Sequence, residues 1–229
     1  MIILSLDTTT AAGSAAVWRD GRVLERAGDG THTHGERLPR ELMRVLEEAS
    51  IPLDAVDRFA VAIGPGSFTG LRVGIATIQG LALAHDRPVA PVSAFEALAW
   101  SVRDAGTPIA AWMDARRGEV FATLFAPDAR TTLHPATSLS PGATLDAWRQ
   151  TLARAGRVTF VGDGAVKYAA VIAGAAGIDA DVRAVPLLAG AIAAIAAEDE
   201  GRAVPPHALV PLYVRRPDAE IARERRHGA

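Results

Sequence analysis

The sequence predicts an α/β protein made of two copies of one unit, facing each other across a cleft. Three observations carry this. A buried apolar strand ending in an acid occurs twice, as Ile2-Ile3-Leu4-Ser5-Leu6-Asp7 and as Ile109-Ala110-Ala111-Trp112-Met113-Asp114. A turn and a returning strand follow each one, over residues 14–18 and 120–125. Further apolar strands alternate with helical periodicity in both halves. The expected lobes are residues 1–104 and 105–229, divided at Arg103-Asp104-Ala105-Gly106.

In the first half, Asp20-Gly21 is a hairpin turn and residues 23–26 return as a third strand. A helix follows over residues 36–49, with Leu38, Leu42, Val45, Leu46 and Ala49 on one apolar face. Pro39 fits it only in the first turn, where no N–H is needed. Residues 59–63 form a buried strand, 64–70 a glycine-rich loop and 71–84 a helix. Residues 89–92 lie between prolines and read as an edge strand. Ser93-Ala94-Phe95-Glu96 is a capping box opening a helix toward Val102. In the second half, residues 158–161 form a strand and Gly162-Asp163-Gly164 a turn. A helix runs from Ala165, and another from Pro186 through Ala197.

Composition narrows the function. A chain of 229 residues with 49% hydrophobic and 22% charged residues buries enough surface to fold without staples. With no cysteine, thiolate metal sites, disulfides and cysteine nucleophiles are excluded. A net charge of −2 supplies no global field for gripping nucleic acid, so a role on RNA needs a partner that holds it. Lys167 is the only lysine and is read as a consequence of composition. No Gly-Lys-Ser or Gly-Lys-Thr is present, which excludes a P-loop. The apolar start without a charged leader, and the lack of an 18-residue apolar run, predict a cytoplasmic protein with no membrane span.

The candidate nucleotide- or anion-binding residues are Asp7, Thr8, Thr9, Gly64, Gly66, Ser67 and Asp163. An acid and hydroxyls at a strand end can hold a phosphate or, through water, Mg²⁺; equally, they can satisfy their own turn. The loop Gly64-Pro65-Gly66-Ser67-Phe68-Thr69-Gly70 opens a helix, whose free N–H groups suit an anion. It matches neither the dinucleotide fingerprint nor the nucleophile elbow. Arg116 and Arg117 stand on a turn toward the cleft, with an ion pair to Asp114 or Glu119 as the structural alternative. His32 and His34 alternate in a polar loop and lack a third ligand, so no metal site is expected. The tail from Ala219, with Arg223, Arg225 and Arg226, reads as a solvated end. Leu42, Leu46, Gly74, Ile75, Ile78 and Leu81 are the candidate interface. The second helix is apolar over more than one stripe, and Gly74 and Gly80 would let a neighbouring helix approach, either a partner's or, equally, the first helix of the same chain.

Leu6-Asp7-Thr8-Thr9, the loop from Gly64 to Gly74, Gln79-Gly80-Leu81-Ala82, Asp114-Ala115-Arg116-Arg117-Gly118-Glu119-Val120 and Pro211-Leu212-Tyr213-Val214-Arg215 closely resemble the TsaB family. The resemblance covers nearly the whole chain in order. It implies the duplicated actin-like, ribonuclease-H-like fold. It further implies a non-catalytic role in forming N6-threonylcarbamoyladenosine at position 37 of tRNAs that read codons beginning with A. The implied partners are TsaD, the threonylcarbamoyl-transferring paralogue, and the ATPase TsaE, with tRNA reached indirectly and a homodimer when the chain is alone. The His-x3-His metal pair of TsaD-like members is not present, so neither metal, cofactor nor catalytic residue is carried over. The competing readings are an actin-like ATPase or phosphotransferase using Asp7, Thr8 and Asp163, and, remotely, a glycoprotease-like peptidase.

Overall fold

The computed structural model describes residues 1–10, 12–30, 32–175 and 177–215. Its first half runs β1 (Ile2–Asp7), β2 (Ser14–Arg19), β3 (Arg22–Ala27), α1 (His34–Glu48), β4 (Arg58–Gly64), α2 (Phe68–Ala84), β5 (Val89–Ser93) and α3 (Ala94–Ser101). Its second runs β6 (Ile109–Asp114), β7 (Val120–Phe125), β8 (Thr132–Leu139), α4 (Pro141–Ala155), β9 (Arg157–Val161), α5 (Asp163–Lys167), α6 (Ala169–Ala173), β10 (Asp179–Val182) and α7 (Ala189–Glu198). The two sheets have the same order, β3-β2-β1-β4-β5 and β8-β7-β6-β9-β10. In each, the first three strands form an antiparallel meander and the last two join in parallel. This is the duplicated actin-like, ribonuclease-H-like α/β fold. Asp7 and Asp114 close the equivalent first strand of each sheet.

The layers explain the burial pattern. α1 and α2 cover the outer face of the first sheet, burying Leu38, Leu42, Leu46, Ile75 and Ile78 against Leu4, Leu6 and Phe59. α4 to α6 cover the outer face of the second sheet, where Trp112 meets Trp148 and Phe160 edge-on. Between the sheets lie α3 and α7, in a core shared by Ile3, Ala60, Ile109, Ala111, Leu98 and Ile192. Strands β1 and β6 are thus covered on both faces, which is why they read as continuous apolar runs. Ser5 is the polar exception, and its hydroxyl donates to Ala189 O at 2.7 Å.

α7 follows the second sheet in sequence but packs on β1, β2, β4 and β5 of the first. Its first amides are received there: Leu188 N and Ala189 N donate to Ser14 Oγ at 3.2 and 3.0 Å, and Gly190 N donates to Glu25 Oε1 at 2.9 Å. The first lobe, expected over residues 1–104, therefore also receives α7 and the segment after it. Val204 bridges to the edge strand β5 at Val89.

Several boundaries differ from the sequence reading. α1 begins at His34, so Pro39 sits in the second turn, where it leaves the carbonyl of exposed Gly35 to solvent. α2 begins at Phe68 because Ser67 caps it, and α7 begins at Ala189 rather than at Pro186. β8, α4 and β10 were not anticipated from the pattern. The positions of the tail from Ala219 lie outside the described residues.

Candidate functional site

In the first lobe the end of β1 and the β4–α2 loop brace one another. Asp7 is buried, and its Oδ1 accepts from Thr9 N at 2.9 Å and Thr9 Oγ1 at 2.6 Å. Burial pushes the Asp7 carboxyl above the usual carboxylate range; the Thr9 bonds oppose this, and Glu25 and Asp163 add to it. Thr9 O accepts Ser67 N at 3.1 Å. Gly66 lies so close that a Cβ there would stand 2.6 Å from Thr9 Cβ. Gly64 has φ +116°, and a Cβ on it would stand 2.6 Å from Leu212 O. Ser67 Oγ accepts from Gly70 N at 3.2 Å. Gly13 N donates to Thr10 Oγ1 at 3.1 Å.

The structure thus brings Asp7, Thr8, Thr9, Gly64, Gly66 and Ser67 together. The amides of Thr9, Gly13, Ser67 and Gly70 are engaged within the chain rather than offered to a ligand.

The second lobe repeats the arrangement. Gly162 has φ +113°, and a Cβ there would meet Trp112 O at 2.1 Å, as Gly64 meets Leu212. Gly164 presses on Met113 as Gly66 presses on Thr9, with 2.8 Å left to the Met113 carbonyl carbon. Asp163 Oδ1 accepts Asp114 N at 2.9 Å, tying the start of α5 to the end of β6. Asp114 Oδ2 accepts Lys167 Nζ at 2.9 Å, with Arg116 farther off at 3.6 Å. Glu119 accepts from Ser138 Oγ at 2.7 Å and Arg215 at 2.9 Å, which hold its carboxyl below the usual range. Lys167 thus joins Arg116 at Asp114, and Arg215 reaches Glu119 from the far end of the chain. The backbone between them runs through Arg116 (φ 62°), Arg117 (φ 52°) and Gly118 (φ 78°), three consecutive left-handed residues.

The candidate interface residues are mostly interior. Leu42, Leu46, Ile75 and Ile78 lie in the core of the first lobe, and a Cβ on Gly74 would stand 2.2 Å from Thr8 Oγ1. Gly74 therefore admits Thr8 of the same chain, not a neighbouring helix. Leu81 is half-buried, and Gly80 alone of the two glycines faces open space. His32 pairs with Asp29 at 2.7 Å on the surface. Among the described residues no cluster of histidine and acidic side chains is disposed to hold a metal, and no helix is long and apolar enough to cross a membrane. A groove of about 790 Å³ between β3 and α1 involves none of the predicted anion-site residues. Three of its arginines are paired in the chain, Arg37 with Glu41 and both Arg26 and Arg44 with Glu48.

The buried Asp7 gives a pH-dependent expectation. Its folded pKa lies above its unfolded value, so the folded state binds this proton more tightly. The cost of the buried charge is present above the folded pKa and vanishes as pH falls toward the unfolded value. Asp7→Asn keeps an acceptor for Thr9 and removes the charge. It should raise stability at pH 7–8 by about 1–3 kcal/mol. The gain over wild type should shrink as denaturation midpoints are taken down to about pH 4. A gain that grows with acidity would contradict this environment.

A family model described as "TsaD: tRNA N6-adenosine threonylcarbamoyltransferase" matches residues 29–137. The chain is 37% identical over 123 residues to the tRNA threonylcarbamoyladenosine biosynthesis protein TsaB of Escherichia coli K12, a match covering 53% of each chain. The chain thus spans about half the length of the curated TsaB relatives it matches. An uncharacterized protein of Mycobacterium tuberculosis H37Rv is 31% identical over 95% of this chain and 93% of its own. A crystal structure from Pseudomonas aeruginosa, described as similar to the peptidase YeaZ, is 30% identical with a TM-score of 0.79, over 93% of this chain and 99% of that one. The doubled sheet, the glycine loops bracing Asp7 and Asp114, and these likenesses agree: the chain belongs to the TsaB family.

Proposed function

We propose that this chain is a scaffold subunit for forming N6-threonylcarbamoyladenosine at position 37 of tRNAs that read codons beginning with A. It acts by binding TsaD, with TsaE joining the pair and tRNA held by the complex. It contributes no catalytic residue. The observation that carries this is the outward face of α2. That helix is apolar nearly all round, yet only one side is needed for its own core. Opposite the buried Ile75 and Ile78 stand exposed Ala76, Gly80 and Leu83, the last 62% exposed, and the neighbouring helix α1 exposes Met43. Such a patch, small at its centre, suits a helix pair of a similarly folded partner. A second copy of this chain would take it when TsaD is absent.

The use of the Thr9, Gly13, Ser67 and Gly70 amides within the chain supports the scaffold reading over an ATPase or phosphotransferase, which needs donors aimed at the transferred group. A peptidase would need a nucleophile with a base within reach, and Ser67 is spent as a helix cap.

Leu83→Glu tests the surface. Because Leu83 is exposed, the variant should keep its thermal midpoint, while its affinity for TsaD falls ten- to a hundredfold, about 1–3 kcal/mol. Unchanged affinity measured by calorimetry would place the contact elsewhere.

A further inference from the structure

After the last helix the chain returns along the first lobe and then crosses to the second. Gln79 Nε2 of α2 donates to Pro206 O at 2.9 Å, and Leu209 is buried in the first-lobe core. Leu212 N donates to Ile63 O at 2.7 Å, extending the end of β4, and its carbonyl fills the space left by Gly64. Tyr213 stacks on Phe68 with ring centres 5.6 Å apart and accepts from Arg72 Nε at 3.3 Å. These contacts are all to the first lobe. Two residues later Arg215 donates to Glu119 Oε2 at 2.9 Å and Ala115 O at 3.0 Å, both on the β6–β7 turn of the second lobe, and its guanidinium stands 5.7 Å from the Phe121 ring centre.

We propose that residues 209–215 are a clasp between the lobes: anchored on the first through Leu212 and Tyr213, they hold the β6–β7 turn of the second through Arg215 and so fix the left-handed turn at Arg116 and Arg117 against the first lobe. Two further details fit this role. The turn contains two non-glycine residues in a conformation that L-residues adopt at a cost, and such geometry persists only when surrounding contacts over-determine it. Arg215 supplies two of those contacts in one planar fork, to a carboxylate and a carbonyl, which lysine cannot reproduce. This reading concerns the coupling of the lobes and does not depend on which partner the chain binds.

Amide hydrogen exchange on the full chain tests it. The reporters are Ala115 N and Glu119 N, which close the turn onto Glu119 O and Arg116 O, and Leu212 N at the first-lobe anchor. Arg215→Ala should speed exchange at Ala115 and Glu119 by about tenfold while leaving β1 and β6 protected, with Arg215→Lys intermediate. Tyr213→Ala touches only the first-lobe anchor, yet should also speed exchange at Ala115 and Glu119. Wild-type exchange at the turn in Arg215→Ala would overturn the clasp. So would acceleration confined to the first lobe in Tyr213→Ala, which would make Arg215 a local ion pair, and so would uniform acceleration in β1 and β6, which would make the effect one of global stability.

Discussion

Gly74→Arg and Leu42→Glu are expected to yield no folded protein, although both positions lie on helices whose other faces are exposed. Leu42 is 1% exposed in the core beneath α1, and a glutamate there would be an unpaired buried charge. Gly74 leaves 2.2 Å to Thr8 Oγ1, 2.9 Å to its Cγ2 and 3.1 Å to its Cβ, so even one methyl group overlaps the strand end. Gly74→Ala should therefore cost about 1–3 kcal/mol by overpacking, despite the usual advantage of alanine in a helix. Thr8→Ala removes the two nearest atoms, and one of them, Oγ1, is buried with no hydrogen-bond partner. The double variant should recover most of the loss in urea denaturation. A Gly74→Arg protein with the wild-type midpoint would mean that this side of α2 opens to solvent.

Ser14→Ala is expected to destabilise the whole chain by about 2–4 kcal/mol, because it orphans two buried N–H groups at the start of α7. Those groups have no intrahelical acceptor, and Ser14 Oγ receives both from the second strand of the other lobe. The bonds hold α7 between the sheets, so their loss should lower the denaturant midpoint and expose Leu188 and Ala189 to exchange before β6. A loss below about 0.5 kcal/mol would mean that water or a neighbouring group replaces the hydroxyl.

The strand-and-acid repeat was legible because both first strands are buried on two faces, leaving continuous apolar runs that end at Asp7 and Asp114. The Asp20-Gly21 hairpin and the Ser93–Glu96 capping box were legible because their chemistry is local. β8 was not, since it is an exposed edge strand with Pro135 inside it and shifts register twice against β7. α4 carries a local signal: Ser140-Pro141 caps it, and Thr144, Leu145, Trp148 and Leu152 recur on one buried face. The duplicate spacing of Gly64/Gly66 and Gly162/Gly164 was likewise readable, as each pair lets a loop press against a first strand or its turn.

The apolar surplus of α2 is legible in the sequence, but Ile75 and Ile78, expected at an interface, lie in the core. Periodicity identifies two faces without saying which one meets the sheet, and Ile75 and Ile78 are bulkier than Ala76 and Gly80, so they fill the core. The packing of α7 and residues 209–215 on the first lobe has no local signature. It depends on contacts such as Ser5 to Ala189 and Ile63 to Leu212, more than a hundred residues apart in sequence.

Co-purification with TsaD from the same source, followed by a count of the subunits in the isolated complex, tests the scaffold role most directly. The account predicts a stable complex with TsaD, lost in Leu83→Glu, and no ATP turnover by the chain alone with Mg²⁺. A chain that hydrolyses ATP by itself and leaves TsaD unbound would contradict it.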